Sequence, residues 1–331
     1  MEARIALLEA QLRQEAPPVL NFPTLCDILA PAPSDDPNRA THFDIVFKHP
    51  ARDLAFAIAE EGGPNCPLKD QSQLLTLFAR PQFTRWLNSD SHSLLYVDAA
   101  LEAADKPLSA ASLLSAKLVA AVPAVFGHTA IVLHFFCGLH LSDEWCGPKG
   151  MMRSLIVQLL MRLVDLDPET EWRGLQFVGD EDFANIDQFK KALKARNTYA
   201  LCTAFHRLLR ELPKGMTVFV VLDSVLFWER NKTPTQFQEH DSFWDGWGGD
   251  VLGFLDELIR AWELPVSVKV LMINQARRGP GMRKLPVVQR WGKKGSVIEL
   301  NNTLNSGEGM WGKRVENQLR RAVEKGVFAR G

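Results

Sequence analysis

The chain has 331 residues, of which 46% are hydrophobic and 23% are charged. This composition is typical of a globular protein with a sizeable core, and it argues against global disorder. The formal net charge of −1 excludes an overall field that would direct the protein to nucleic acid or to an acidic membrane. Five widely spaced cysteines fit a reducing compartment better than a disulfide framework.

The N-terminal residues have the pattern of a charged amphipathic helix and lack the apolar centre of a signal peptide. No apolar run in the sequence approaches the ~20 residues that a membrane span requires. By elimination, we expect a cytoplasmic protein that makes no membrane contact.

Four segments are predicted in chain order. Residues 1–49 form a leader of weak structure, with a short amphipathic helix from Ala3 to Glu15 followed by a Pro-rich loop. Residues 50–92 form a helical lead-in, and residues 93–302 form the main domain. Residues 303–331 form a basic C-terminal helix.

Apolar strands alternate with helices through the main domain, and the first of these helices has Ser109 as its predicted N-cap. Continuous apolar strands are buried on both faces, and their alternation with helices is typical of parallel sheets. We therefore predict a three-layer, doubly wound α/β domain with a mainly parallel sheet of P-loop NTPase type. The predicted strands are Ser93–Ala100, Thr129–Gly138, Thr217–Val225, Ser267–Ala276 and Ser296–Asn302.

The turn after the first strand is where a P-loop would lie. A P-loop needs G-x-x-x-x-G-K-[ST], because its glycines let backbone N–H groups surround phosphate and its hydroxyl binds Mg²⁺. The chain reads A-L-E-A-A-D-K-P from Ala100 to Pro107. This spacing makes Lys106 the candidate phosphate lysine and Ser109 the nearest hydroxyl. Both glycines and the expected hydroxyl are replaced, and Lys106 could equally be an ordinary surface lysine.

The third strand ends in a carboxylate, Asp223, in the position from which P-loop enzymes hold Mg²⁺. Glu229, six residues further on, is a second candidate catalytic acid near the same place. If nucleotide binds, Asp223 is the predicted magnesium ligand. The alternative is that Asp223 caps the following turn.

The fourth strand is followed by two arginines, Arg277 and Arg278. Arg277 is a candidate nucleotide-binding residue at a position suited to sensing a γ-phosphate. Two adjacent arginines in a loop can also be solvated or ion-paired.

A zinc site is the less favoured interpretation of a nearby group of possible ligands. Their spacing, H-x₂-C-x₂-H-x₅-C, fits no zinc pattern that we can justify, and a strand would place the first two on opposite faces. We expect core packing instead for His134, Cys137, His140 and Cys146.

Several segments taken together resemble the NACHT-like P-loop NTPase domains of filamentous fungi, which belong to the signal-transducing class with numerous domains. These segments are F-x-x-W-L, SLLYVD, VLHFFCGLH, GPKGMMRSLIVQLL and LPKGMTVFVVLDSVLFWER, and the resemblance spans about Phe83 to Asn302. It implies a Walker A lysine at Lys106, its hydroxyl position at Pro107 and a Walker B acid at Asp223. It also implies a nucleotide-dependent switch between monomer and oligomer. The chain has neither the effector domain nor the repeats usual in that class, so we expect it to be a detached module.

Three functions follow as hypotheses. The first is a degenerate, non-catalytic module that acts in signalling or regulation through protein partners or self-association. The second is a working NTPase that binds ATP or GTP with Mg²⁺ through a divergent loop. The third is a phosphate or nucleic-acid binder that uses the basic C-terminal region, where 13 Lys/Arg and 4 Asp/Glu follow Gln275. Nucleic acid is the least expected partner.

Overall fold

The computed structural model describes residues 19–30, 42–101, 105–166, 174–176, 183–226, 247–260, 263–278, 280–300 and 312–328. The strands in these ranges are β1 (Val19–Leu20), β2 (Ser93–Asp98), β3 (Ala130–Phe136), β4 (Leu175–Gln176), β5 (Thr217–Asp223), β6 (Ser267–Asn274) and β7 (Val297–Glu299). The helices are α1 (Phe22–Leu29), α2 (His42–Ala59), α3 (Leu68–Leu75), α4 (Pro81–Asn88), α5 (Ala110–Phe126), α6 (Gly147–Leu166), α7 (Ile186–Lys194), α8 (Thr198–Arg210), α9 (Trp247–Arg260), α10 (Pro280–Lys284), α11 (Pro286–Lys293) and α12 (Gly312–Phe328).

Five strands form one parallel sheet in the order β3-β5-β6-β2-β7. The four longest strands are buried almost throughout, as their continuous apolar sequences predicted. Helices cover both faces of the sheet. The predicted α/β architecture, a doubly wound parallel sheet, is therefore confirmed.

The direction of the crossovers explains which helices cover which face. The connection from β2 to β3 runs one way along the sheet, and every later connection runs the other way. Since parallel crossovers are right-handed, the helix of the first connection, α5, lies on one face. The helices of the later connections, including α6, α8 and α9, lie on the opposite face.

Each face has its own hydrophobic core. The α6 face contains alternate strand residues such as Tyr96, Leu133 and Val220, packed against the later helices. The α5 face contains the intervening residues, such as Val97 and Phe219. This division follows from the alternation of side chains along a strand.

The basic C-terminal helix belongs to the α5 face. Val315, Leu319 and Ala322 of α12 are buried in its core, and α12 packs against α5 and α4. Its polar residues remain on the outer side. The C-terminal helix therefore contacts the body of the protein.

The leader is more ordered than the sequence suggested. Helix α1 places Leu25 and Leu29 in the core of the α6 face, and β1 pairs antiparallel with β4. Helix α2 continues through Pro50, so it crosses the expected boundary between leader and lead-in. The helix predicted from Ala3 to Glu15 lies outside the described residues.

One helix in the described part of the chain meets the length and composition of a membrane span. It is the 20-residue segment Ala110–Thr129, in which an 18-residue stretch has a mean hydropathy of 1.7. The expectation that no apolar run approaches this length was therefore wrong. Because 67% of this stretch is buried inside the fold, packing against the sheet explains the apolar character of α5.

Candidate functional site

The candidate site lies where the chain leaves β2. In open α/β sheets, ligands bind at the carboxyl ends of the strands, at the point where the winding direction changes. Here the direction changes at β2, whose neighbours are β6 and β7. The turn from β2 into α5 is therefore the position at which this fold would bind a ligand.

The N-terminus of α5 is capped by its own side chains. The Ser109 hydroxyl accepts a hydrogen bond from the Ala111 amide at 3.1 Å. The Ser112 hydroxyl in turn accepts from the Ser109 amide at 3.2 Å, which completes a capping box. Ser109 is thus the N-cap, as predicted. These are the backbone donors that a P-loop helix offers to phosphate, and here residues of the same chain bind them.

Ser112 connects this cap to the third long strand. Its hydroxyl donates to Asp223 Oδ2 at 2.7 Å, and the Ser224 hydroxyl donates to Asp223 Oδ1 at 2.9 Å. Ser109, Ser112 and Asp223 are all fully buried. We call these three residues the closed corner.

The pKa of Asp223 is raised to about 7. Burial is the largest cause, since it disfavours the charged carboxylate, and the hydrogen bonds from Ser112 and Ser224 only partly oppose it. Burial thus favours the neutral form of this carboxyl group more than it does for an exposed aspartate.

The backbone before the corner is also bonded internally. The Ala99 and Leu101 amides donate to the carbonyls of Asn274 and Gln275 at 2.8 and 2.7 Å. Between them, Ala100 has φ of 51°, a left-handed conformation that favours glycine. The first Walker glycine position of the predicted alignment therefore has a glycine-like backbone and an alanine side chain.

The loop before α5 packs closely on the turn after β3. A Cβ atom on Gly138 would lie 1.8 Å from the Pro107 carbonyl oxygen, so only glycine fits there. The Gln275 side chain donates to the Lys106 carbonyl at 2.8 Å. Residues 106 and 107 thus lie against the turns that follow β3 and β6.

The structure brings some of the predicted site residues together and separates others. Ser109 and Asp223 meet through Ser112. The Lys106 side chain is half-exposed, and its ammonium lies 3.9 Å from the Asp105 carboxylate. Arg277 is exposed, and Glu229 lies outside the described residues.

The hydroxyl beside Asp223 comes from a residue that the spacing of the P-loop motif did not select. Spacing from the end of β2 placed the Mg²⁺ hydroxyl at Pro107, whereas the structure places Ser112 against the carboxylate. If Ser112 is the last residue of G-x-x-x-x-G-K-[ST], then Ala110 and Ala111 stand at the positions of the second glycine and the lysine. The serine three residues after an N-cap serine was the available signal.

The second of the paired arginines has a structural partner that sequence reasoning also missed. Arg278 Nε donates to Asp98 Oδ2 at 2.7 Å, and its Nη2 donates to Glu299 at 2.8 Å. Asp98 is fully buried. Arg278 is therefore ion-paired to the ends of β2 and β7.

The candidate zinc ligands have separate partners. His140 is buried between Asp143 and Asp53, at 2.7 and 2.9 Å, and His134 Nε2 contacts the Pro50 carbonyl at 3.0 Å. Burial raises the pKa of the Cys137 thiol well above its usual value. Within the ranges that the structure describes, no three His, Cys, Asp or Glu side chains are grouped to hold a metal ion.

A cavity of about 650 Å³ lies away from the corner, along the outer edge of β3. It is lined mainly by apolar side chains of α2, α5 and α6, among them Leu54, Val119 and Met161. This cavity is thus distinct from the expected ligand position.

Comparisons of the chain with protein-family models, with curated proteins and with solved structures found no match. The NACHT-like resemblance therefore stays a prediction, and the function has to be argued from the geometry of the corner.

Proposed function

We propose that this protein is a degenerate P-loop-type module that acts in signalling or regulation through protein contacts or self-association, without efficient nucleotide hydrolysis. The observation that carries the proposal is the closed corner. There, Ser109 caps α5 and the Ser112 hydroxyl donates to Asp223 at 2.7 Å, with all three residues fully buried.

The placement of Ser112 and Asp223 supports descent from a P-loop fold. In P-loop enzymes, the loop hydroxyl and the strand-end aspartate hold one Mg²⁺ between them. Here the corresponding groups lie on α5 and β5 and bond directly to each other.

The remaining residues of the corner do not fit a magnesium–nucleotide complex. The phosphate lysine position is taken by Ala111, and the amide of that residue is bonded to Ser109. Both oxygens of Asp223 accept serine hydroxyls, and burial favours its neutral form. A triphosphate would have to displace the cap and ionise this carboxyl, so we assign the corner no catalytic step.

Isothermal titration with ATP, ADP, GTP and GDP in the presence of Mg²⁺ tests the nucleotide part of the proposal. We expect no binding at micromolar concentrations, because the backbone donors at the start of α5 are already bonded. Micromolar affinity that is lost in Ser112→Ala would overturn the proposal. Ser115→Ala is the matched control, since Ser115 is a buried serine of the same helix whose hydroxyl has no hydrogen-bond partner in the part of the chain that the structure describes.

Sedimentation velocity over a range of protein concentrations tests the protein-contact part. We expect any self-association to depend on protein concentration and to be unchanged by ATP or GTP with Mg²⁺. Assembly that requires a nucleoside triphosphate would instead favour a working nucleotide switch. A phosphate-release assay on the same samples separates a switch that hydrolyses nucleotide from one that only binds it.

A further inference from the structure

A second group of buried polar residues lies at the carboxyl edge of the sheet, on the face opposite the closed corner. Asp98 ends β2 and Asn274 ends β6, and the two are direct partners in the parallel register. Neighbouring residues of paired strands point to the same face, with the strands about 4.8 Å apart. We call Asp98 and Asn274 the edge pair; both are buried, with Asn274 completely enclosed.

The Asp98 carboxylate has one oxygen with a partner and one without. Oδ2 accepts from Arg278 Nε at 2.7 Å, a contact typical of an ionised carboxylate with a guanidinium. Oδ1 is buried and has no hydrogen-bond partner among the described residues. Burial raises the pKa of this carboxyl group, while Arg278 and the nearby Tyr96 hydroxyl, which donates to Met282 Sδ at 3.3 Å, lower it. The edge pair therefore presents one acceptor that needs a donor.

The Asn274 amide has the opposite requirement. Its Oδ1 accepts from the Leu226 amide at 3.0 Å, and its Nδ2 is buried without a partner in the described part of the chain. Turning the amide over would set its NH₂ group against the Leu226 N–H, which is also a donor. The orientation is thus fixed, and the edge pair presents one donor that needs an acceptor.

The two atoms do not bond to each other, although their residues are adjacent. We propose that Asp98 Oδ1 and Asn274 Nδ2 together bind a single hydroxyl oxygen, which donates to the carboxylate and accepts from the amide. An ordered water is the smallest species of this kind, and buried waters commonly join such groups.

Other occupants fit less well. A cation would be attracted to Asp98 but would face the N–H of Asn274. An anion would be repelled by the carboxylate, and an apolar group would leave both buried atoms without a hydrogen-bond partner. A hydroxyl satisfies both requirements at once, because it is both donor and acceptor.

A crystal structure of the full chain at about 1.6 Å, grown and cooled without polyols, tests the proposal. We expect one peak within hydrogen-bonding distance of Asp98 Oδ1 and Asn274 Nδ2. An isolated peak identifies water, and continuous density identifies the hydroxyl of a larger molecule. A direct Asp98–Asn274 hydrogen bond, a side chain of the same chain at this position, or no peak would each overturn the proposal.

Nuclear magnetic resonance provides an independent measurement in solution. We expect the side-chain amide protons of Asn274, assigned by their loss in Asn274→Asp, to show a cross-peak at the water frequency. Gln73 is the matched control, because its buried amide donates to the carbonyls of Ala99 and Leu300. A cross-peak from Gln73 as strong as that from Asn274, or none from Asn274, would contradict a bound water at the edge pair.

Discussion

The closed corner and the edge pair lie at the same edge of one sheet, but they differ in how their hydrogen bonds are completed. In the closed corner, serine hydroxyls bind both oxygens of Asp223 and the Ser109 side chain caps the helix. In the edge pair, Asp98 and Asn274 each keep one buried atom without a described partner. The position where a P-loop fold binds its ligand is therefore complete by itself, and the incomplete position lies on the other face.

The largest expected effect comes from breaking the ion pair that supports the edge pair. Arg278→Met would leave the Asp98 carboxylate buried without its counter-charge, and loss of one partner of a buried pair costs about 3–5 kcal/mol. Urea unfolding would measure the loss. Arg277→Met is the control, because Arg277 is exposed and surface changes stay within about 0.5 kcal/mol. Equal losses in both variants would show that Arg278 does not hold Asp98.

The next effect concerns the charge of the closed corner. Since the pKa of Asp223 is raised to about 7, the folded state favours the protonated form, and Asp223 lowers stability as pH rises from about 4 to 7. Asp223→Asn imitates the protonated form, so we expect it to stabilise the protein by about 2–4 kcal/mol at pH 8. Unfolding free energies measured between pH 4 and 8 would show this.

His140 changes the dependence of the unfolding free energy on pH in a higher pH range. Burial alone would lower its pKa, but hydrogen bonds to Asp143 and Asp53 raise it to about 9. Its stabilising contribution is complete below pH 6.5 and is lost as pH rises through 9. Differences between wild type and Asp223→Asn below pH 6.5 therefore isolate Asp223. If the unfolding free energies of wild type and Asp223→Asn changed in parallel with pH in that range, a raised pKa of Asp223 would be contradicted.

A smaller effect comes from the cap. Ser109→Ala removes the acceptor for the Ala111 amide, and loss of an N-cap serine costs about 0.5–2 kcal/mol. Thermal unfolding would detect the change. Ser115→Ala removes a buried hydroxyl that has no hydrogen-bond partner among the described residues, so it should be close to neutral. A greater loss in Ser115→Ala than in Ser109→Ala would argue against the cap.

The smallest effect concerns the turn before the corner. Ala100 has φ of 51°, and glycine adopts this conformation without the cost that a Cβ atom brings. Ala100→Gly should therefore stabilise the protein by about 0.5 kcal/mol after the entropy of the unfolded glycine is counted. Ala100→Val should destabilise it. A loss of stability in the glycine variant would mean that the turn is not strained.

The long elements and the ends of the strands could be predicted from the sequence. Continuous apolar runs identified both ends of β2, β3, β5 and β6 to within two residues, and they placed Asp223 at a strand end. Ser109 was recognisable as an N-cap because polar side chains of this type bind free helix amides.

The features that the sequence did not predict depend on tertiary contacts. Ser112 could not be selected by spacing from β2, because the length of the intervening loop decides which hydroxyl reaches Asp223. The pairing of Arg278 with Asp98 depends on β6 lying next to β2, which a sequence pattern does not reveal. Helix α1 was missed because its burial depends on the α6 face, and its short sequence contains Pro23.

The position of β2 in the sheet also has a consequence for how the chain folds. Ser93 pairs with Lys269 and Tyr96 pairs with Val297, so both neighbours of this early strand come late in the sequence. Contacts between residues so far apart form slowly, because a long loop must close before any stabilising contact is made. During synthesis, the backbone N–H and C=O groups along both edges of β2 would stay unpaired for most of translation, which exposes this strand to aggregation or to chaperone binding.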